Sequence, residues 1–573
     1  LSSTGPVVLT DTTTLSSLPA DLQTLLNGNG ALATDASFIR YLRGDDSVSD
    51  SSGNLYRRRS SLIAADVNAP PVYIGGRLNM GYDRPLSAVT GSAAYTGYVS
   101  DKGATPGTLY APTNDGQVHV INAANDQATP PQQIKNAAGG VIQPGVELWS
   151  YLIKSSLPLM QNFANPAYNF QYVLDGPVSE QDIYNPSTTS WKQMVYGSLG
   201  RAGKGGVYAL NAPINKTDPT NLNRIPNQTG YQWETTQPDM GYITNQSMAG
   251  QTKSGNWVVL ANSGHYAGTG KAGLYVLDAN TGALVQFVQL PAGYPYGRGL
   301  GGVTVIRDAD RRIVGAYAGD DGGNLWRFDL SDPNPANWAV LYGKPLFTTP
   351  NNQPIYAAPA WSVHPGDGQA LPGGCVAGRL ADSGKKDASG NPIMLPQQCG
   401  AIVVFGTGAL LDDSDMTNVA QQTIYGIWDY SPIGQPARPY RAIAMSNLVQ
   451  QTISATGTAG TGINANNTYY QSSNNTINWA TQYGWYMNMN QLPNTTGERV
   501  IGDPFNLGSS VFVTSVVANN TGVPQNETCA AKSSAPNVQY GLDALTGVMK
   551  RSFDQNGDGK ADLFAIAYLP NGG

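Results

Sequence analysis

A strand–turn–strand unit recurs six times along this chain and restricts the fold more than any other feature. The copies are TLYAPTNDGQVHVINAAND at 108–126, VYGSLGRAGKGGVYALNAP at 195–213 and WVVLANSGHYAGTGKAGLYVLDANTGALV at 257–285. They continue with GAYAGDDGGNLWRFDLSD at 315–332, AIVVFGTGALLDDSDMTNVAQQTIYGIWDYS at 401–431, and a split copy, SSVFVTSVVANN with VQYGLDALTGVMK, within 509–550. Each has two runs of β-branched and aromatic residues around a turn rich in Gly, Asp or Asn. Six copies of one β unit with almost no helix between them predict an all-β fold, a β-propeller. A row of β-sandwiches would show separate linkers, and none is visible.

The spacing of the copies exceeds a minimal four-stranded blade, so long insertions are expected. One is the Asn/Thr/Ser-rich stretch 456–482, and another lies between Cys375 and Cys399. The segments PPVYIGG (70–76) and DLFAIAYLPNGG (562–573) are expected to supply strands of a seventh blade that closes the ring and removes exposed sheet edges. Helix is expected only near the N-terminus, over 18–26 and 34–44, with Thr34 as N-cap and Gly44 just past the C-terminal end. The predicted division is an N-terminal segment, 1–69, leading into a propeller, 70–573.

Charged residues make up only 13% of the 573 residues, about half the usual share, while Gly (67) and Pro (38) are abundant. That mixture suits short strands and many turns, as in secreted surface proteins. The net charge of −6 argues against a nucleic-acid-binding face, and the basic run YRRRSS at 56–61 is short and isolated. No apolar run approaches the roughly 20 residues needed to span a bilayer. The chain starts at Leu1 without Met, so a piece of a longer protein is expected.

The three cysteines, Cys375, Cys399 and Cys529, form no C-x-x-C pair. A Cys375–Cys399 disulfide is expected, contributing about 3 kcal/mol by closing its loop; two unpaired thiols are the alternative. Cys529 has no evident partner. The three histidines, His119, His265 and His364, fall in separate segments without triad or metal-ligand spacing, so no catalytic residue is assigned. His119 alternates with Val118 and Val120 and is expected to face away from the core.

Near the end, SFDQNGDGKADLFA spaces oxygen donors as a D-x-N-x-D-G loop does. Asp554, Asn556 and Asp558 stand at positions 1, 3 and 5, the Lys560 carbonyl at 7 and Asp562 at 9. An all-oxygen set predicts a hard cation, Ca²⁺ before Mg²⁺. Position 12 is Ala565 rather than Glu, and the flanks GVMKRSF and LFAIAYL read as strands, so the loop is not an EF-hand. Affinity in the weak extracellular range, about 10⁻⁴–10⁻³ M, is expected. A solvated polar turn is the alternative.

Taken in order, FIRYLRGDDS, YRRRSSLIAADVNAPPVYIGG, LYAPTNDGQVHVINA, KQMVYGSLGRAGKGGVYALNAP, WVVLANSGHYAGTGKAGLYVLDANTGA, AYAGDDGGNLWRFDLSD and the later GWYMNMN, GERVIGDP and FDQNGDGKAD resemble the PilY (or PilC) type IV pilus tip-associated proteins. The resemblance runs from about Phe38 to Gly573 and implies a modified seven-bladed β-propeller with a short helical N-terminal segment. It implies a non-enzymatic, extracellular module on the cell surface at the pilus tip, acting in pilus biogenesis and in adhesion or surface sensing. The implied partners are minor pilins, reached through an N-terminal region not included in this sequence, and a host or abiotic surface.

The family often carries a second calcium loop before its YAGD strand. Here the match is VIRDADRRIVGAYAGD (305–320), where Asp308 and Asp310 are followed by Arg311 and Arg312, so that site is expected to be lost. Arg43, Gly44 and Asp45 form an RGD tripeptide of the kind thought to engage integrins in some members; the competing reading is a helix terminus. LDANTGALV and LDALTGVMK are similar to the docking motif of quinoprotein dehydrogenases but lack its closing Trp, which favours a blade-packing turn. The alternative functions are a quinoprotein-like oxidoreductase and a generic glycan- or protein-binding propeller.

Overall fold

The computed structural model describes the chain except residues 1, 3–4, 28–34, 49–55, 67, 85–86, 126, 128–131, 137, 204, 215–225, 268–269, 367–379, 388, 397–398, 435, 455, 519–535 and 571–573. It divides into two compact units. The first comprises Leu1–Leu290, Asp308–Ile313 and Leu330–Trp338; the second comprises Pro291–Arg307, Val314–Asp329 and Ala339–Gly573.

The six repeat copies are the central hairpins of six different sheets. In the first unit, Thr108–Pro112 pairs with Gln117–Asn122, Ser190–Ser198 with Val207–Ala212, and Trp257–Asn262 with Gly273–Asp278, all antiparallel. Flanking strands complete three four-stranded sheets: Val72–Ile74 and Glu147–Leu152 in the first, Ser179–Asn185 and Tyr231–Thr235 in the second, Met248–Gln251 and Leu284–Gln289 in the third. The other three central pairs are Ile313–Asp320 with Asn324–Asp329, Ala401–Gly406 with Thr423–Asp429, and Ser510–Val517 with Asn537–Asp543. Short turns make the first and fourth pairs legible: only residues 113–116 and 321–323 separate their strands, and these Gly- and Asp/Asn-rich turns set the register.

Within each unit, successive sheets share cores through the two-residue periodicity of strands. Val195, Tyr208 and Leu210 pack with Tyr110, Val118 and Val120 of the first sheet, whereas Met194, Tyr196 and Ala209 pack with Val259, Tyr275 and Leu277 of the third. In the second unit Val403 and Phe405 join Tyr317 and Leu325, while Ile402 and Val404 join Val511, Val538 and Leu542. Ala401–Gly406 is therefore buried at every position, an apolar run covered on both faces. Each large apolar side chain so covered contributes about 1.5–3 kcal/mol.

Four expectations are corrected. The strands within 70–76 and 562–573 belong to different sheets rather than to one closing blade: Val72–Ile74 lies beside Thr108–Pro112 in the first sheet, and Ile566–Leu569 beside Asn537–Asp543 in the last. The stretch 456–482 is not merely an insertion, because its strand Thr468–Tyr470 pairs with Ile566–Leu569. GVMKRSF is not a strand; Met549 makes one isolated bridge, to Leu542. Helix also occurs outside the N-terminal segment. Besides α1 (Ala20–Leu26) and α2 (Ser37–Leu42), a ten-residue helix, α3, spans Tyr95–Ala104. Two glycines hide α3 from a propensity reading. It is held by one face: Tyr95, Tyr98 and Lys102 are buried and all bond the Asp182 carboxylate.

Residues 1–69 share the first unit with the first three sheets. Leu15, Leu18, Leu22, Phe38, Tyr41 and Leu42 form one apolar cluster with Leu157, Met160 and Phe163. The basic run also serves packing: the Arg57 guanidinium stacks over Tyr168 at 4.0 Å and that of Arg59 over Tyr41 at 4.5 Å.

Candidate functional site

The C-terminal loop is wrapped around one carboxylate. Asp554 Oδ1 accepts the backbone N–H groups of Asn556 (3.2 Å), Gly557 (2.6 Å) and Asp558 (3.2 Å), and Oδ2 accepts that of Gly559 (2.7 Å). Desolvation raises the Asp554 pKa, but these amide bonds outweigh it and hold the carboxyl below its ordinary value. Asp558 Oδ1 accepts the Lys560 N–H at 2.9 Å, and Asp562 Oδ2 accepts the Gln555 N–H at 2.9 Å. Gly557 and Gly559 have φ of +77° and +84°, which the sharp turn requires. The loop is anchored on the hairpin beside it: Asn464 Nδ2 donates to the Asp554 carbonyl (2.9 Å) and the Thr461 N–H to that of Gln555 (3.1 Å).

The sequence-predicted donors thus share one exposed loop next to strand Ile566–Leu569. Their all-oxygen chemistry fits a hard cation. The carboxylates are not gathered into a cage, for among the described residues no three His, Cys, Asp or Glu side chains are placed to hold a metal.

At Asp308–Arg312 the arginines act as ties. Arg311 donates to the Met80 carbonyl (2.5 Å from Nη2) and Arg312 Nη2 to that of Ala88 (2.7 Å). Asp308 Oδ1 accepts the Arg312 N–H at 3.1 Å. Burial, then the neighbouring Asp310 charge, raises the Asp308 pKa.

The RGD tripeptide closes α2. The Gly44 N–H reaches the Tyr41 carbonyl and the Asp45 N–H that of Arg40, both at 3.0 Å, with Gly44 at φ +93°. This is a Schellman terminus, and Gly44 takes the position expected of it. The charged flanks are engaged: Arg43 Nε lies 2.8 Å from Asp11 Oδ1, and Asp45 pairs with Arg40 at 2.5 Å. Cys399 is buried and disulfide-bonded; Cys375 and Cys529 lie outside the described residues, as does Thr34.

His119 departs from expectation, being buried rather than outward-facing. Its Nδ1 lies 2.8 Å from Glu147 Oε1 and its Nε2 3.1 Å from Asp115 Oδ2. Burial alone would lower its pKa, but these hydrogen bonds and charges lift it to about 9. His364 is the opposite case. It stacks on Trp428 with centroids 4.1 Å apart, and burial, aided by the Arg441 charge, lowers its pKa to about 3.

Sequence reasoning missed Arg298, which bonds Asp321 at 2.8 Å, Asp412 at 3.0 Å and Asp415 at 2.7 Å. The acidic run LLDDSD was the available signal.

The two LDxxTG stretches have identical local geometry. Asp278 Oδ1 accepts the Thr281 N–H (2.9 Å) and hydroxyl (2.8 Å), as Asp543 Oδ1 does from Thr546. In each a tryptophan from the preceding sheet lies on the turn glycine. Trp233 Nε1 donates to the Ala279 carbonyl at 3.1 Å, and Trp485 Nε1 to that of Ala544 at 3.2 Å. These are the blade-packing turns the sequence suggested.

The family model for the PilY1 beta-propeller domain matches residues 63–462. This chain belongs to that family. The Type IV pilus biogenesis factor PilY1 of Pseudomonas aeruginosa strain PAK is 27% identical over 568 residues, covering 93% of this chain and 43% of the relative. A Type IV pilus biogenesis factor PilY1 homolog of Xylella fastidiosa strain Temecula1 is 28% identical over 410 residues, covering 70% of this chain and 28% of that protein. The chain therefore spans less than half the length of these relatives. The crystal structure of the Pseudomonas aeruginosa PilY1 C-terminal domain superposes with a TM-score of 0.61 at 24% identity, covering 87% of this chain and 93% of that one. The fold is accordingly a β-propeller. No helix among the described residues is long and apolar enough to cross a membrane.

Proposed function

We propose that this chain is the propeller module of a type IV pilus biogenesis factor, carried outside the cell at the pilus tip. The supporting observation is the family match over residues 63–462, together with six sheets each built on one repeat copy. In this reading the module is non-enzymatic. It acts in pilus extension and retraction and in adhesion or surface sensing, and joins minor pilins through a separate N-terminal region. Seven blades remain part of the proposal.

Calcium belongs to the same proposal. Asp554, Asn556, Asp558, Asp562 and the Lys560 carbonyl would hold it, and the ion would offset the mutual repulsion of three carboxylates. The loop abuts strand Ile566–Leu569, so loop order and pairing of the last sheet would be coupled.

The test is complementation. In a piliated host lacking its own copy, the full-length gene is expected to restore surface pili and twitching, and a gene lacking residues 63–573 is not. Equal restoration by both would overturn the reading. Immunogold label on this module should lie at pilus ends; label confined to the cytoplasm would also overturn it.

A further inference from the structure

A cavity of about 440 Å³ lies within the first unit, lined by residues 6–9, by α1, by the end of α2 and by strands Gln117–Asn122 and Glu147–Leu152. The apolar lining includes Leu9, Leu18, Leu22, Leu42, Leu62 and, on a strand, Trp149. The wall formed by the two strands carries Gln117, His119, Glu147 and Ser150. The volume falls within the range of small-molecule sites, about 300–1,000 Å³, and the mixture of apolar surface with a few converging polar groups is typical of them.

The charges on that wall do not balance. Both His119 ring nitrogens meet carboxylate oxygens, at 2.8 Å (Glu147) and 3.1 Å (Asp115), an arrangement satisfied when both nitrogens carry protons. One imidazolium then serves two carboxylates, leaving one surplus negative charge. The other lining cations do not cancel it. Arg43 is paired with Asp11 at 2.8 Å and Lys154 with Asp21 at 2.9 Å. Gln117 is also committed: its Nε2 donates to the Leu42 carbonyl (3.0 Å), and its Oε1 accepts from Ser150 Oγ (2.8 Å). The Glu147 side chain is 42% exposed, and its bond to His119 uses one oxygen, Oε1. A cation reaching this wall meets a carboxylate, and an anion meets repulsion.

We propose that this cavity binds a small amphipathic amine, its apolar body against the leucines and Trp149 and its ammonium on Glu147. The apolar lining supplies area-dependent affinity, and the carboxylate supplies the choice of head group. The proposal stands apart from pilus biogenesis and from the calcium loop.

Isothermal titration of the whole chain at pH 7 with octylamine, octan-1-ol, octanoate and propylamine tests it. Octylamine is expected to bind at least tenfold more tightly than each of the other three. Glu147→Gln keeps an oxygen acceptor for His119 and removes the charge; it should abolish the amine preference while leaving octanol binding in place. Leu62→Trp, at an exposed rim position, should weaken octylamine at least tenfold by filling the mouth. Three outcomes overturn the proposal: no octylamine heat at millimolar concentration, an amine preference undiminished in Glu147→Gln, or full octylamine affinity in Leu62→Trp. If Glu147→Gln fails to fold, the Leu62→Trp result decides alone.

Discussion

Lys102 Nζ lies 2.7 Å from Asp182 Oδ2, with neither side chain exposed to solvent. Tyr95 and Tyr98 hydroxyls donate to the same carboxylate at 2.6 and 2.9 Å, and Lys102 also bonds the Leu78 carbonyl at 2.7 Å. The cluster fastens α3 to strand Ser179–Asn185. Removing one partner strands a buried charge, so Lys102→Met is expected to cost about 3–5 kcal/mol in urea unfolding. Lys102→Met combined with Asp182→Leu should cost less than the single change. A single substitution within 1 kcal/mol of the parent would show that the pair is not buried in solution.

The blade-packing turns predict a contrast between two glycines. A Cβ on Gly547 would sit 2.4 Å from the Trp485 ring, at φ +68°. One on Gly559 would meet nothing within 4 Å, at φ +84°. Both alanine variants incur left-handed strain of about 1–2 kcal/mol, and Gly547→Ala adds a clash of about 1–3 kcal/mol. Thermal melts should show Gly547→Ala lower; equal melting points would refute the packing.

His364 predicts acid lability. Its folded pKa, about 3, lies below the ordinary 6.5. The unfolded chain therefore binds the extra proton, and stability present above pH 6.5 is lost as pH falls toward 3. The loss at pH 5 is about 2 kcal/mol. His364→Phe retains a ring against Trp428 and should flatten the melting profile between pH 7 and 5; an unchanged slope would count against the assignment.

His119 predicts the reverse. With its folded pKa raised to about 9, its contribution is complete below pH 6.5 and is lost as pH rises through 9. The full window is worth on the order of 3 kcal/mol. Comparing His119→Gln with the parent from pH 7 to 10 should show a gap that closes with rising pH. A gap constant with pH would mean that His119 is not held protonated.

The calcium loop gives a paired prediction. Calcium should raise the melting temperature of the parent and leave Asp558→Ala unmoved, since that change removes a central donor and keeps both glycines. Chelation should first loosen the sheet containing Ile566–Leu569. If both proteins respond equally, or neither does, calcium is not held at this loop.

The strands of the six repeat copies, the Schellman end at Gly44 and the Asp–Thr bonds of the LDxxTG turns were legible in the sequence because each depends on alternation or on residues a few positions apart. Turn chemistry and two-residue alternation are local properties, and local properties survive in a string of letters. Tertiary structure decided the rest. Thr468–Tyr470 became a strand by pairing with Ile566–Leu569, almost a hundred positions away. Tyr95–Ala104 became a helix because Asp182 gathers three of its side chains. His119 occupies the strand face that alternation would give to solvent, yet Asp115 and Glu147 compensate the cost of burying it. Pairing partners and compensating charges come from distant segments, and only the folded chain brings them within reach.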